Sequence, residues 1–264
     1  MQDLNGRVAV VTGAGSGIGR ASAGALAREG VKIIAADIDE AGVQETAQAI
    51  VAAGGEAVGV RCDVAADDAF EQLKALAYGK HGRVDIVMNN VGVISSGKPE
   101  EIPIAEWARI FNINLMSVVR SNHAFLPELI ARGEGHIVNT ASFAGLYAYA
   151  YDRLPYATTK GALVTMSEGL ALYHKPKGIG VTCLLPGPVR TSIGKTIKVW
   201  GEPLGLRGPG ANFQMLEPEV VGSMVVDAIR RDVFFLPTDD QVREVLKRRA
   251  ADPDAFVDEQ IATF

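Results

Sequence analysis

The chain is 264 residues long, 48% hydrophobic and 22% charged, with a formal net charge of -5. That length suits one large α/β domain over residues 1–264, and the acidic balance excludes a general affinity for nucleic acid or an anionic membrane surface. No apolar run approaches the ~20 residues that a membrane-spanning helix needs, and Met1 to Gly6 lead into a strand with no apolar leader, so a soluble cytoplasmic protein is expected.

Short β-branched runs alternate with Ala-rich stretches of helical period. Strand 8–12 precedes helix 20–30, strand 32–37 precedes helix 40–53, and strand 56–62 precedes helix 67–81. The alternation continues with strand 86–89, one long helix over 104–131, strand 136–140, a helix over 156–175 and strand 180–185. Strands this apolar fit a doubly wound parallel sheet of about seven strands with helices on both faces, a single-domain Rossmann fold. The order breaks after Pro186. Residues 191–217 carry five glycines and two interior prolines between Trp200, Leu204, Leu206, Phe213 and Met215. This stretch reads either as a mobile flap with an apolar inner side or as a surface excursion. A helix near 218–231, a strand at 233–236 and a charged tail helix from about 239 complete the chain, with Arg243, Lys247, Arg248 and Arg249 on the tail's solvated face. Cys62 and Cys183 lie in strand-like surroundings and read as reduced, buried thiols.

The segment Thr12-Gly13-Ala14-Gly15-Ser16-Gly17-Ile18-Gly19 joins the first strand to the first helix. In that context glycines let backbone amides and a helix N-terminus approach a pyrophosphate. Asp37 ends the second strand eighteen residues after Gly19, close to the offset of a ribose-binding acid. Its charge would repel a 2′-phosphate, so NAD(H) is expected over NADP(H). Arg20, the nearest cation of the motif, reads equally well as a surface residue. Ile38 follows Asp37 at the same strand end. Asp63 is a candidate for the adenine amino group, with Val64 packing on the ring, or else a helix cap.

Tyr156 and Lys160 are four residues apart in a helical stretch, which places both on one face. A free Tyr has a pKa of about 10, so use as a base near pH 7 to 8 requires roughly 3 to 4 kcal/mol in favour of the phenolate, an amount a neighbouring cation can supply. His136 and His174 read as a strand start and a helix end, with no partner at metal-ligand spacing, and no catalytic metal is expected.

Taken in order, these motifs resemble those of the short-chain dehydrogenase/reductase family over essentially the whole chain. Asn89-Asn90-Val91-Gly92 is similar to the family's Asn-Asn-Ala-Gly segment, with Val91 in place of Ala; Asn114 lies in Ile113-Asn114-Leu115; Ser142 ends a strand; and Pro186-Gly187-Pro188-Val189-Arg190-Thr191 resembles the segment that lines the nicotinamide. The resemblance implies a catalytic set of Asn114, Ser142, Tyr156 and Lys160. Tyr156 would act as general acid/base, Ser142 would hold the substrate oxygen, Asn114 would open its helix for a proton-relaying water, and Lys160 would lower the Tyr156 pKa and hold the ribose. It implies cofactor contacts from Gly13, Ser16, Gly17, Ile18, Gly19, Asp37, Ile38, Asp63, Val64, Asn90, Val91, Gly92, Tyr156, Lys160, Pro186, Gly187, Val189 and Thr191.

Substrate contacts are expected from Ser95-Ser96-Gly97, from 143–153, from Gly187 and from the flap. Phe143, Leu146, Tyr147, Tyr149, Tyr151 and Leu154 suggest a small apolar, cyclic or aromatic secondary alcohol or ketone, while Arg153 and Lys195 leave room for an anionic substituent. A 3-oxoacyl thioester reductase and a non-catalytic dinucleotide sensor are the alternatives, the first disfavoured by Asp37. The resemblance also implies a homo-oligomer, a tetramer or dimer, through the two long helices. The apolar tail residues Phe256, Val257, Ile261 and Phe264 suit a further contact.

Overall fold

The computed structural model describes residues 1–262 other than Leu206 and Ala211. In chain order the elements are β1 (Val8–Thr12), α1 (Gly17–Arg28), β2 (Lys32–Asp37), α2 (Glu40–Ala52), β3 (Ala57–Arg61), α3 (Ala69–His81), β4 (Ile86–Asn89) and β5 (Ser95–Ser96). They continue with α4 (Ile104–Phe111), α5 (Ser117–Arg132), β6 (Gly135–Thr140), α6 (Leu154–His174), β7 (Ile179–Leu185), β8 (Lys198–Val199), α7 (Pro218–Arg231), β9 (Phe235–Pro237), α8 (Val242–Ala251) and α9 (Pro253–Ile261).

Among the described residues, seven strands form one sheet in the order β3-β2-β1-β4-β6-β7-β9, every pairing parallel. All residues of β1, β4 and β6 are buried, which is why these runs carry no alternation of apolar and polar side chains. One core lies between the sheet and α1 and α7, centred on Leu26, Ile33 and Val225; another, on the opposite face under α3 and α5, centres on Phe70, Leu73 and Phe125. The chain reverses its direction across the sheet between β3 and β4, so a crevice opens at the carboxyl ends of β1 and β4, where such sheets bind ligands.

The opposite end of the sheet is closed by charge. The buried Asp85 carboxylate accepts the Val8 amide at 3.0 Å and pairs with Arg83 at 2.5 Å, Arg7 at 3.5 Å and Arg132 at 3.6 Å, tying the starts of β1 and β4 together. His136, fully inside β6, has Nε2 2.8 Å from Thr182 Oγ1, and burial pushes its pKa down to about 3, so the ring is neutral.

Three expectations are refined. The helix foreseen over 104–131 contains a π-helical segment, Asn112–Met116, between α4 and α5. The single tail helix is two, because Pro253 cannot continue α8 and Asp252 caps α9 by accepting the Ala255 amide at 2.9 Å. A small second sheet, in which β5 pairs with β8, joins the loop after β4 to the start of the flap.

Candidate active site

The turn from Gly13 to Gly19 begins at the end of β1. Gly13 has φ +67°, and a Cβ at Gly19 would lie 2.0 Å from the Gly13 carbonyl oxygen, so only glycine lets α1 start pressed against the turn. Ser16 precedes α1 without capping it through its side chain; its hydroxyl sits 3.0 Å from that of Ser192 instead. Asp37 is fixed by two amides, Oδ2 accepting from Gly15 at 2.8 Å and Oδ1 from Asp39 at 3.0 Å. Arg20 points elsewhere: it donates to the carbonyls of Gly15 (2.5 Å) and Gly42 (3.1 Å) and pairs with Glu45 at 3.2 Å. Beside Asp37, burial and the charges of Asp63, Asp37 and Asp68 push the Cys62 thiol up to about 11, which keeps it protonated.

Deeper in the crevice, Lys160 is buried and donates from Nζ to the Thr140 carbonyl at 2.6 Å. Burial lowers its pKa to about 8. Its ammonium lies 5.6 Å from the centroid of the Tyr156 ring, and a Cβ at Gly92 would come within 3.3 Å of it. Burial raises the Tyr156 pKa, while a hydrogen bond with Ser142 and the charge of Arg153 act in the opposite direction. Arg153 is a cation not foreseen in this role that bears on the Tyr156 phenol, while the Lys160 ammonium, close to the same ring, is held by the Thr140 carbonyl at the end of β6. Ser142 follows β6 in extended backbone, accepts the Ala144 amide at 3.2 Å and donates to the Pro186 carbonyl at 3.4 Å.

Asn114 occupies the centre of the π segment and is fully buried. Its side-chain oxygen accepts the Val93 amide at 2.9 Å, and its NH2 group donates to the Val93 carbonyl at 3.0 Å and to Thr159 Oγ1 at 3.2 Å. It therefore clamps the loop after β4 to α6 from behind.

A cleft of about 430 Å³ runs from Asp37 to Tyr156. Of the residues expected around a cofactor or in catalysis, all line it except Gly19, which packs on the turn, and Asn114. Cys62, Val93, Arg109, Ile113, Thr140, Ala141, Ser192 and Ile193 also line it and were not foreseen. The spacing of four between Arg109 and Ile113 is a helical signal that both face one way. Thr140 donates to Asn90 Oδ1 at 3.1 Å, a cross-strand contact that one sequence does not display.

The substrate end departs further from expectation. Ser95 and Ser96 are buried in β5 and pair with Lys198 and Val199, so they anchor the flap and do not line the cleft. Phe143 is fully buried against Phe213, ring centroids 5.1 Å apart, and Tyr147 packs edge-on against Phe256 of α9. Phe256 is thus an internal core residue and is not available to a partner chain. Met215, Tyr151 and Lys195 are exposed. Arg153 is paired with the buried Asp152 at 2.8 Å and donates to the Arg207 carbonyl at 2.8 Å. Leu206 and Phe264 lie outside the described residues. What surrounds Tyr156 is a smaller apolar cluster of Ile94 and Ala144, with Tyr149, Ala157, Ile193 and Ile197 packed against it. Among the described residues no helix is long and apolar enough to cross a membrane, and no group of three or more His, Cys, Asp or Glu is placed to hold a metal ion.

The model of the short chain dehydrogenase family matches residues 7–201. The chain is 31% identical over 240 residues to a cyclohexanol dehydrogenase of an Acinetobacter species, covering 88% of this chain and 91% of that protein. It is 35% identical over 238 residues to "Probable oxidoreductase EphD" of Mycobacterium tuberculosis, covering 84% of this chain but only 39% of that protein, so it spans about two fifths of that relative's length. A 2,5-dichloro-2,5-cyclohexadiene-1,4-diol dehydrogenase, LinX, of Sphingobium indicum is 33% identical over 190 residues, 72% of this chain and 76% of that protein. Among solved structures, a short chain dehydrogenase/reductase from Burkholderia phymatum in complex with NAD superposes with a TM-score of 0.86 at 31% identity, covering 97% of this chain and 96% of that one. With the sheet order, the glycine turn and these matches in agreement, the chain belongs to the short-chain dehydrogenase family of oxidoreductases.

Proposed function

We propose that this protein is an NAD(H)-dependent dehydrogenase that interconverts a secondary alcohol and a ketone on a small apolar, cyclic skeleton. The observation that carries the reading is the inner end of the cleft: a buried Tyr156 with Ser142 beside it, one helical turn from a buried Lys160, with Ile193 on the same lining and Ile94, Ala144 and Ile197 packed around Tyr156. Such a wall favours a hydrocarbon ring over a phosphorylated or sugar substrate. The names of two relatives, a cyclohexanol dehydrogenase and a cyclohexadiene-diol dehydrogenase, support the same class.

The residues present fit a dinucleotide. Gly13 to Ile18 form a close-approach turn at a helix N-terminus; Asp37 offers a fixed carboxylate to ribose hydroxyls; Ile38, Asp63 and Val64 would border the adenine; Asn90 to Gly92 and Lys160 would face the inner ribose; and Pro186, Gly187, Val189 and Thr191 would hold the carboxamide. When bound, the nicotinamide supplies the hydride acceptor. Ser142 and Tyr156 would hold the carbinol oxygen, and Tyr156 would take its proton. Asn114 and Lys160 would lead that proton away from the phenol. Asp37, together with the engagement of Arg20 by Glu45, supports NAD(H) over NADP(H). Exposed Ile104 at the start of α4, Met116 just before α5 and Leu172 on α6 support a homo-oligomer, and light scattering should give a mass above that of one chain.

The test is NADH formation from NAD with cyclic, aryl and aliphatic secondary alcohols. The wild type should act on at least one cyclic alcohol, and Tyr156→Phe should lose about 10²- to 10⁴-fold in kcat while binding NADH with near-normal affinity. A Tyr156→Phe rate close to that of the wild type would refute the assignment.

A further inference from the structure

Arg153 stands where a cation is disfavoured. It immediately precedes α6, and the first turn of a helix already carries partial positive charge, so a neutral or acidic residue suits that place better. The guanidinium is nonetheless held firmly. It donates from Nε and from one NH2 group to the two carboxylate oxygens of the buried Asp152, at 2.8 and 3.2 Å, and the same NH2 group donates to the Arg207 carbonyl of the flap at 2.8 Å. The Asp152 carbonyl in turn accepts the Gly97 amide at 2.9 Å, so the flap, the end of β5 and the start of α6 meet here.

Tyr156 lies in the first turn of α6, and helical side chains lean towards the N-terminus of their helix, which brings the phenol back towards Arg153. The two residues share neighbours. Tyr149, whose ring centroid is 5.9 Å from the guanidinium carbon, packs with Ala144 and Ala157 around Tyr156. The hollow that Arg153 shares with these three residues has no room for a water molecule, so a charge acting across it is weakly screened. Facing the same phenol are Lys160, whose ammonium is 5.6 Å from the ring centroid, and Tyr149, which burial keeps neutral with a pKa pushed up to about 12. Asp152, beside Arg153, offsets part of its charge. The flap and the loop after β4 contribute the uncharged Ile193, Ile197 and Ile94.

We propose that Arg153 is a positioning residue for the reaction: held between Asp152 and the flap, it keeps a positive charge against the first turn of α6 and so favours the phenolate of Tyr156 when the substrate proton is taken. The role rests on the reading of Tyr156 as general base. Arg153 acts in the same sense as the dipole of the first turn, and both oppose the burial that favours the neutral phenol. Docking of the flap is thereby linked to the readiness of the base, because a flap carbonyl is one of the three acceptors that hold the guanidinium.

The experiment measures kcat/KM between about pH 6 and about pH 10, with NAD and the cyclic alcohol that the wild type oxidises fastest. It compares the wild type with the neutral variants Arg153→Gln and Arg153→Met and with Arg153→Lys, alongside NADH binding to each protein. A neutral variant should lose at least about threefold more at pH 7 than at pH 9.5, because without the cation the acid limb moves to higher pH by about half a unit or more. Arg153→Lys, which retains the charge, should keep the wild-type limb. A purely structural role would lower the rate by one factor at every pH, so an unmoved limb in a neutral variant that binds NADH overturns the proposal. A shift that Arg153→Lys shares in full also overturns it. A wild type that binds NADH yet oxidises no alcohol overturns the secondary-alcohol reading and the proposal with it, a result distinguishable from an unmoved limb.

Discussion

Asp37 has little freedom to turn away from a ligand. Two backbone amides hold both of its oxygens, and a Cβ at Gly15 would lie 2.9 Å from its carboxyl carbon. A 2′-phosphate would therefore meet a fixed charge. Asp37→Ser should raise the NADH-to-NADPH ratio of dissociation constants at least tenfold, read by cofactor fluorescence; an unchanged ratio would show that discrimination lies elsewhere. His136 supports a second prediction. Its pKa is about 3 when folded and near the ordinary 6.5 when unfolded, so between these values the unfolded chain binds the extra proton. The stabilisation is present above pH 6.5 and is lost as the pH falls towards 3, and denaturant titrations should show this decline flattened in His136→Gln. At this scale much of the site was legible. Tyr156 and Lys160 are spaced by the helical period and the glycine turn sits where a strand meets a helix, while Ser142 was pointed out by the family resemblance alone; these three side chains line the cleft, as do Gly13, Ser16, Gly17 and Ile18 of the turn. The role of Arg153 was not legible, because its effect on Tyr156 depends on a side-chain direction fixed by Asp152 and the Arg207 carbonyl.

Regular elements followed the hydrophobic period closely, and the irregular ones escaped it. The π segment adds a wider turn between α4 and α5, too short a departure to read from the hydrophobic period, and the buried polar Asn114 at its centre marks it in the structure. Asn114→Ala would strip partners from both the amide and the carbonyl of Val93. The expected cost is about 2 kcal/mol, or roughly 4–8 °C in Tm, and kcat should fall further than a stability-matched variant remote from the cleft would predict. A normal kcat with lowered Tm would confine Asn114 to a structural role. The two serines of β5 misled for the opposite reason. Buried, polar and only two residues long, β5 carries no period, and its partner β8 lies about a hundred residues further on in a glycine-rich stretch. The first part of the flap is consequently tied down: the Trp200 amide donates to the Ser96 carbonyl at 2.8 Å.

Across the whole molecule, the cleft draws on loops that follow β1, β2, β3, β4, β6 and β7, and the tail reinforces it at one remove through Phe256 and Tyr147. The fold class was readable because the strands of the large sheet are short runs rich in apolar residues that alternate with helical stretches. The docking of the tail was not readable, because Phe256, Val257 and Ile261 look alike in sequence and only the first finds a place inside. The order of the sheet also has a consequence for biosynthesis. On a ribosome β1, β2, β3 and β4 emerge first and can pair, but β6, the next neighbour of β4, follows only after α5. At about 5–20 residues per second this leaves the edge of β4, whose residues are all buried in the finished sheet, uncovered for some seconds in each nascent chain, long enough for chaperone capture or for pairing with another chain to compete with folding.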